Sequence, residues 1–187
     1  MALGAERRGV TPPDFQAIFE RTPGLYLILD TSFFIVGVND AYAKATMTRR
    51  QEIVGRALFE VFPDNPDDHS ADGVSNLRQS LLNVLKTRQP DKMAVQKYDI
   101  RKPIEEGGGF EVRYWSPLNT PVLGADGFVR WIIHRVEDVT ELVRLQADES
   151  ARREFAQVQE KMVRQLRDAR RELAMVAEEN ARLRAGR

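Results

Sequence analysis

The chain has 187 residues, with 28 Lys and Arg against 28 Asp and Glu, so no whole-chain field recruits nucleic acid and no nucleic-acid partner is expected. Cysteine is absent, which excludes disulfides, thiolate metal sites, cysteine nucleophiles and any flavin photochemistry that runs through a cysteinyl adduct. No run of eighteen apolar residues occurs, and Met1 to Val10 has two arginines but no apolar core of the signal-peptide kind, so a soluble cytoplasmic protein without a membrane partner is expected.

In chain order, residues 1–13 mix Gly, Arg and Glu without a period and are expected to be mobile. Pro12-Pro13-Asp14 then offers a helix start for Phe15, Ile18 and Phe19, and Thr22-Pro23-Gly24 ends that helix. Leu25-Tyr-Leu-Ile-Leu29 and Phe33-Phe-Ile-Val-Gly-Val38 are apolar runs joined by Asp30-Thr31-Ser32, which predicts a hairpin of buried strands. Asn39-Asp40 closes the second strand and caps a helical turn through Ala41, Tyr42, Ala43 and Ala45. Thr48 is expected to start another turn containing Ile53 and Val54, stopped by Gly55. Leu58, Phe59, Val61 and Phe62 form one more turn before Pro63, and the acidic segment from Asp64 to Asp68 reads as a solvated loop. From Asp72 or Gly73 to Thr87, Val74, Leu77, Leu81, Val84 and Leu85 recur at helical spacing, leaving Asn76, Arg78 and Lys86 for solvent.

The remainder of the domain reads as strands: Met93 to Ile100, Phe110 to Trp115 extending towards Val122, and Phe128 to Val136. A Gly107-Gly108-Gly109 loop and a Gly124-Ala-Asp-Gly127 turn separate them, the Asp126-Gly127 pair suiting a hairpin turn with positive φ. With the first hairpin this makes five strands in an α+β domain whose short helices lie on one side of an antiparallel sheet.

Two periods meet between Trp131 and Glu141. Up to Val136 the residues alternate as in a half-buried strand, and beyond Asp138 the apolar spacing changes to three and four. Asp138 and Thr140 are of the types whose side-chain oxygens accept from the unpaired N–H groups at a helix start, so a helix is expected to begin here. After it there is no Pro, and Gly186 is the sole Gly. The expected organisation is a mobile segment at 1–13, a domain at 14–138 and a helical rod at 139–187.

The order of elements, the Val38-Asn39-Asp40-Ala41-Tyr42 turn, Leu58-Phe59-Glu60-Val61-Phe62-Pro63, and Val136-Glu-Asp-Val-Thr-Glu141 together resemble a Per-Arnt-Sim (PAS) sensor domain over roughly residues 14–141. Tyr114-Trp-Ser-Pro-Leu-Asn-Thr-Pro-Val-Leu123 and Ile132-Ile-His-Arg-Val-Glu-Asp-Val-Thr140 are similar to stretches of the PAS domains that precede bacterial histidine kinases. The resemblance implies a five-stranded antiparallel sheet with a pocket between the sheet and the helix ending near Thr87. It also implies a signal-transmitting Asp138-Val139-Thr140 triplet, with Asn39 a further coupling position. Tyr26, Ile28, Phe59, Leu77, Leu81, Tyr114, Ile132 and His134 are the candidates to line the pocket. Tyr114 and Trp115 fall on opposite faces of their strand, so only one of them can join Met93 or Val95 there.

The rod carries its own pattern. Counting in sevens, Phe155, Met162, Ala169, Val176 and Leu183 share one position, and Leu166, Leu173 and Asn180 share the other, a heptad seam in which Arg152 and Gln159 are polar and loosely specified. An Asn such as Asn180 favours a two-stranded parallel coil, so a homodimer is expected, against the alternative of a lone helix folded back on the domain.

Neither His69 nor His134 lies in the rod, so the chain lacks the phosphoaccepting helix of a histidine kinase, and Gly107-Gly108-Gly109 sits between strands rather than before a helix, as a phosphate loop would. Two distant histidines without cysteine make a poor metal site, and no Ser, His and acid grouping shows an elbow motif. His69 lies near where haem-binding PAS domains carry their axial His, which leaves a haem-based gas sensor as an alternative, although its Pro66-Asp67-Asp68 setting lacks the basic residues that propionates favour. His134 can face the pocket, where it would bond a ligand or titrate, or the outer face of the sheet or a dimer contact. The expected function is a non-catalytic PAS sensory and dimerisation module in bacterial signal transduction, with a small-molecule ligand and a signalling protein partner reached through the coil. A structural scaffold with an empty pocket and a small-molecule enzyme are the other readings.

Overall fold

A computed structural model of the chain describes residues 12–185. Its elements are α1 (Phe15–Arg21), β1 (Leu25–Asp30), β2 (Ile35–Val38), α2 (Asp40–Ala45), α3 (Arg50–Ile53), α4 (Leu58–Val61), α5 (Gly73–Thr87), β3 (Asp91–Lys92), β4 (Gln96–Lys97), β5 (Ile100–Arg101), β6 (Phe110–Glu111), β7 (Tyr114–Leu123), β8 (Val129–Asp138) and α6 (Thr140–Ala185). The chain divides into two compact units, one through Thr140 and one from Glu141 onward. The expected mobile segment falls on residues 1–11, outside the described residues, and on Pro12 and Pro13. Among the described residues no helix is long and apolar enough to cross a membrane.

The sheet is antiparallel in the order β2-β1-β8-β7-β3, with β4 also on β7, while β5 and β6 pair separately. Two of the five expected strands are therefore broken into short pieces. The gap between β3 and β4 lies opposite β7, where Pro117 has no N–H to give its neighbour. Lys92 pairs with Leu118 and Gln96 with Trp115, so the ladder lapses opposite Pro117, whose carbonyl is met only by the N–H of Met93. The interruption frees Met93 to Val95 from strand geometry.

Alternation decides what each strand buries. Leu27 and Leu29 of β1, Trp115 of β7 and Ile132 and Val136 of β8 enter one core with Ile35, Tyr42, Ile53, Leu58, Leu81 and Val84. In α5, Leu81 and Val84 face the sheet and a left-handed Arg88 (φ 57°) ends the helix. Caps fix two other starts: the Asp14 carboxylate accepts from the Ala17 N–H at 3.0 Å, and the Asn39 Oδ1 from the Tyr42 N–H at 3.0 Å. The helix expected from Thr48 begins at Arg50 instead, because the Thr48 hydroxyl is engaged with that of Thr46. The Asp64 to Asp68 segment is a loop, yet it is anchored rather than freely solvated: Asp64 accepts from the Val74 N–H, Asn65 bonds Asp99, and Asp68 pairs with Lys97.

Candidate functional site

Between the sheet and helices α2, α4 and α5 lies a cavity of about 50 Å³. A site for one water needs about 10–15 Å³, so the space suits roughly three to five water-sized groups. Its walls are mostly apolar, formed by Leu58, Phe62, Leu77, Ile100, Val136 and the ring of Trp115, with Met93 and Gln96 entering from the interrupted β3–β4 segment. Tyr98 closes one side: its hydroxyl donates to the Phe62 carbonyl, and its own carbonyl accepts from Trp115 Nε1 at 2.8 Å. Gly73 makes room for that ring, since a Cβ there would run into Tyr98.

Besides Thr46, Gln96 and Tyr98, the polar side chains of His134 and Tyr42 face this apolar space. His134 of β8 is 4% exposed and sits edge-on to the buried Tyr42 ring, with centroids 6.1 Å apart. Burial pushes the His134 imidazole down to about 4 and raises the Tyr42 hydroxyl above its ordinary range, so both are neutral near pH 7. His134 Nδ1 lies 2.7 Å from Oδ1 of Asn119, its cross-strand partner on β7. The Asn119 amide nitrogen donates to Ser80 Oγ at 2.7 Å, the Ser80 hydroxyl donates to Asp91, and Asn83 donates to the other Asp91 oxygen at 3.1 Å. A buried polar chain thus runs from the cavity wall to the end of α5 and β3.

At the joint with the helix, β8 continues to Asp138, two residues beyond the expected end at Val136. The Asp138 carboxylate accepts from the Thr140 N–H at 3.0 Å and from Arg113 Nη1 at 2.5 Å, while Arg113 also pairs with Glu111 at 2.8 Å. Partial burial opposes the shift, but the bonds from Thr140 and Arg113 hold the Asp138 carboxyl below its ordinary value. The role expected for Thr140 is corrected: its hydroxyl accepts from the Tyr114 backbone N–H at 2.9 Å, not from the helix, and the Val139 N–H donates to the Tyr114 carbonyl at 2.9 Å. The triplet is stitched to the first residue of β7, next to Trp115 in the cavity wall.

Of the residues expected around the pocket, Leu77 and His134 line it. Tyr26, Ile28 and Tyr114 do not, because the inward positions of their strands are taken by Leu27, Leu29 and Trp115. Phe59 packs edge-on against Phe33 under the Arg78 guanidinium, and Leu81 and Ile132 are fully buried core residues away from the lining. Met93 lines the cavity and Val95 is exposed. Asn39 is placed as a structural tie: fully buried, it accepts from the N–H groups of Tyr26 and Tyr42 and donates to the carbonyls of Thr22 and Gly24. His69 is exposed on the acidic loop and does not line the cavity, so it offers no axial ligand to a group held there. Sequence reasoning missed the apolar walls Leu58, Phe62, Ile100 and Val136, and the polar members Tyr42, Thr46, Tyr98, Gln96, Asn119, Ser80 and Asp91.

In α6, Phe155, Met162 and Leu166 are 64%, 58% and 65% exposed, with Val158 and Val163 beside them. Leu173, Val176, Asn180 and Leu183 lie on the same helix, but their side chains fall outside the described part.

The PAS fold family matches residues 19–144. Comparison with curated proteins gives no match. A PAS domain from Colwellia psychrerythraea is 9% identical, with a TM-score of 0.52, covering 68% of this chain and 95% of that one. An RNA-binding light-oxygen-voltage receptor is 17% identical with a TM-score of 0.56, covering 81% of this chain but only 40% of its own length. A sensory box sensor histidine kinase from Vibrio cholerae is 18% identical with a TM-score of 0.47, covering 67% and 89%. Identities this low speak for the fold alone, but the family match spans well over half of the chain, and the chain belongs to the PAS fold family.

Proposed function

We propose that this PAS domain is a non-catalytic sensory module that binds a small molecule in the cavity and passes occupancy through Asp138-Val139-Thr140 into a parallel homodimeric coiled coil, and from the coil to a signalling partner. The observation that carries the reading is the stitching of the triplet to β7. Trp115 lines the cavity, and the backbone of its neighbour Tyr114 bonds both Thr140 and Val139. A ligand that moves Trp115 therefore acts one residue from two hydrogen bonds that set the start of the output helix. The exposed apolar positions of α6 support the dimer, because a long helix does not leave such a stripe in water.

Native mass spectrometry of the protein purified from its own host tests the first half of the reading, with a retained small molecule expected. Loss of all bound mass, together with no response to small neutral probes, would favour a dimerisation scaffold, a second reading for which the modest cavity volume speaks.

A further inference from the structure

The polar chain behind His134 has only one consistent direction. A carboxylate cannot donate, so the Ser80 hydroxyl must spend its single hydrogen on Asp91. Ser80 Oγ is then left to accept, and the group of Asn119 that faces it must be the amide nitrogen, which also points at the sulfur of Met93. That turns Asn119 Oδ1 towards His134, and an amide oxygen can only accept, so Nδ1 carries the imidazole hydrogen. In the neutral ring Nε2 is consequently a bare acceptor. No described residue hydrogen-bonds it, although His134 lines the cavity.

We infer that the cavity selects a small neutral molecule that brings one hydrogen-bond donor, a hydroxyl or N–H, to Nε2 of His134, and that Asp91, Ser80 and Asn119 set this preference by fixing the tautomer. The inference rests on the reading of the cavity as a ligand site. An anion is disfavoured by the neutral acceptor and the apolar walls, and a molecule offering only acceptors leaves Nε2 unpaired against its own lone pairs. Burial of the ring holds it neutral well below pH 7, so the acceptor persists through the physiological range.

Pyrrole and furan form a matched pair of probes, alike in shape and apolar surface, of which only pyrrole has an N–H to donate. Titrated into the wild-type protein and followed by protein NMR, pyrrole is expected to shift the His134 ring signals and to bind about tenfold more tightly than furan. Nitrogen-15 spectra of the free protein should show Nε2 as the unprotonated, pyridine-type nitrogen. In Ser80→Ala the Asn119 amide loses its orienting partner, so the preference for pyrrole should shrink towards unity while apolar binding persists. Equal binding of the two probes, or a protonated Nε2, would overturn this inference and leave the cavity reading standing. Binding of neither would overturn both.

Discussion

At the scale of single residues, two buried polar groups dominate. His134 has an ordinary value of 6.5 and a folded value of about 4, so below pH 6.5 the unfolded chain takes up a proton that the folded domain refuses. Stability is complete above 6.5 and is lost as pH falls towards 4. Between pH 7 and 5 this one group should remove about 2 kcal/mol, since each tenfold difference in proton affinity between the folded and unfolded chain is worth about 1.4 kcal/mol. Urea unfolding of wild type and His134→Gln at both pH values checks this: the wild type should lose stability and the variant should lose about 2 kcal/mol less. Asn39 makes four hydrogen bonds while fully buried. Asn39→Ala orphans groups on β1, on α2 and in the turn after α1 and should cost about 3 kcal/mol, read as a lower urea midpoint with an unchanged slope. Neither role was visible from residue type alone. Asn39 read as a helix cap, which it is, but its bonds to Thr22 and Gly24 depend on a packing that only the fold supplies. The partnership of His134 with Asn119 was within reach, since counting outward from the Asp126-Gly127 turn brings the two opposite each other.

At the scale of elements, helices were more legible than strand faces. The stripe from Val74 to Leu85 fixed α5 because a helix with one apolar face has one way to lie on a sheet. Leu25 to Leu29 is apolar at every position, so nothing in that run distinguishes Leu27 and Leu29 from Tyr26 and Ile28, and the choice is made by what packs on each face. In β7 the strand read from Phe110 towards Val122 does run through Pro117, but which neighbour would lose its partner opposite that proline was not legible. The joint with α6 shows the same division. The change of period located it, but not the direction of the Thr140 bond. Because Thr140 Oγ1 serves a backbone N–H of β7, Thr140→Val leaves that group unpaired and should cost about 2 kcal/mol. Asp138→Ala removes a cap and one partner of Arg113, which keeps Glu111, and should cost only about 1 kcal/mol. Thermal melts of the two variants should therefore rank Thr140→Val below Asp138→Ala.

At the scale of the whole molecule, the question is what the rod pairs with and how a change at its start is carried along it. Helix α6 has 46 residues, about 70 Å at 1.5 Å per residue, and its exposed Phe155, Met162 and Leu166 repeat at coiled-coil spacing. Removing residues 150–187 should lower the mass seen by light scattering from two copies to one. An unchanged mass would move the dimer contact to the domain, where Phe15 and Ile18 of α1 are 74% and 53% exposed. If the rods do pair, Arg152 and Gln159 place polar groups in the seam next to the domain, whereas the later layers are apolar apart from Asn180. The early layers gain little from any one register, so a shift at Asp138 can be absorbed there, and the better specified layers beyond Met162 hold their pairing. The coupling available is of the size of one cap, about 1 kcal/mol, enough to redistribute two weakly separated registers and too small to unfold the domain. Spin labels at Phe155 and Leu183 should accordingly report a changed distance distribution between the two copies at Phe155 in Asp138→Ala, with Leu183 nearly unmoved. Identical distributions at both positions would reduce the triplet to a structural cap, and equal displacement at both would mean that the rods slide as rigid bodies instead of repacking locally.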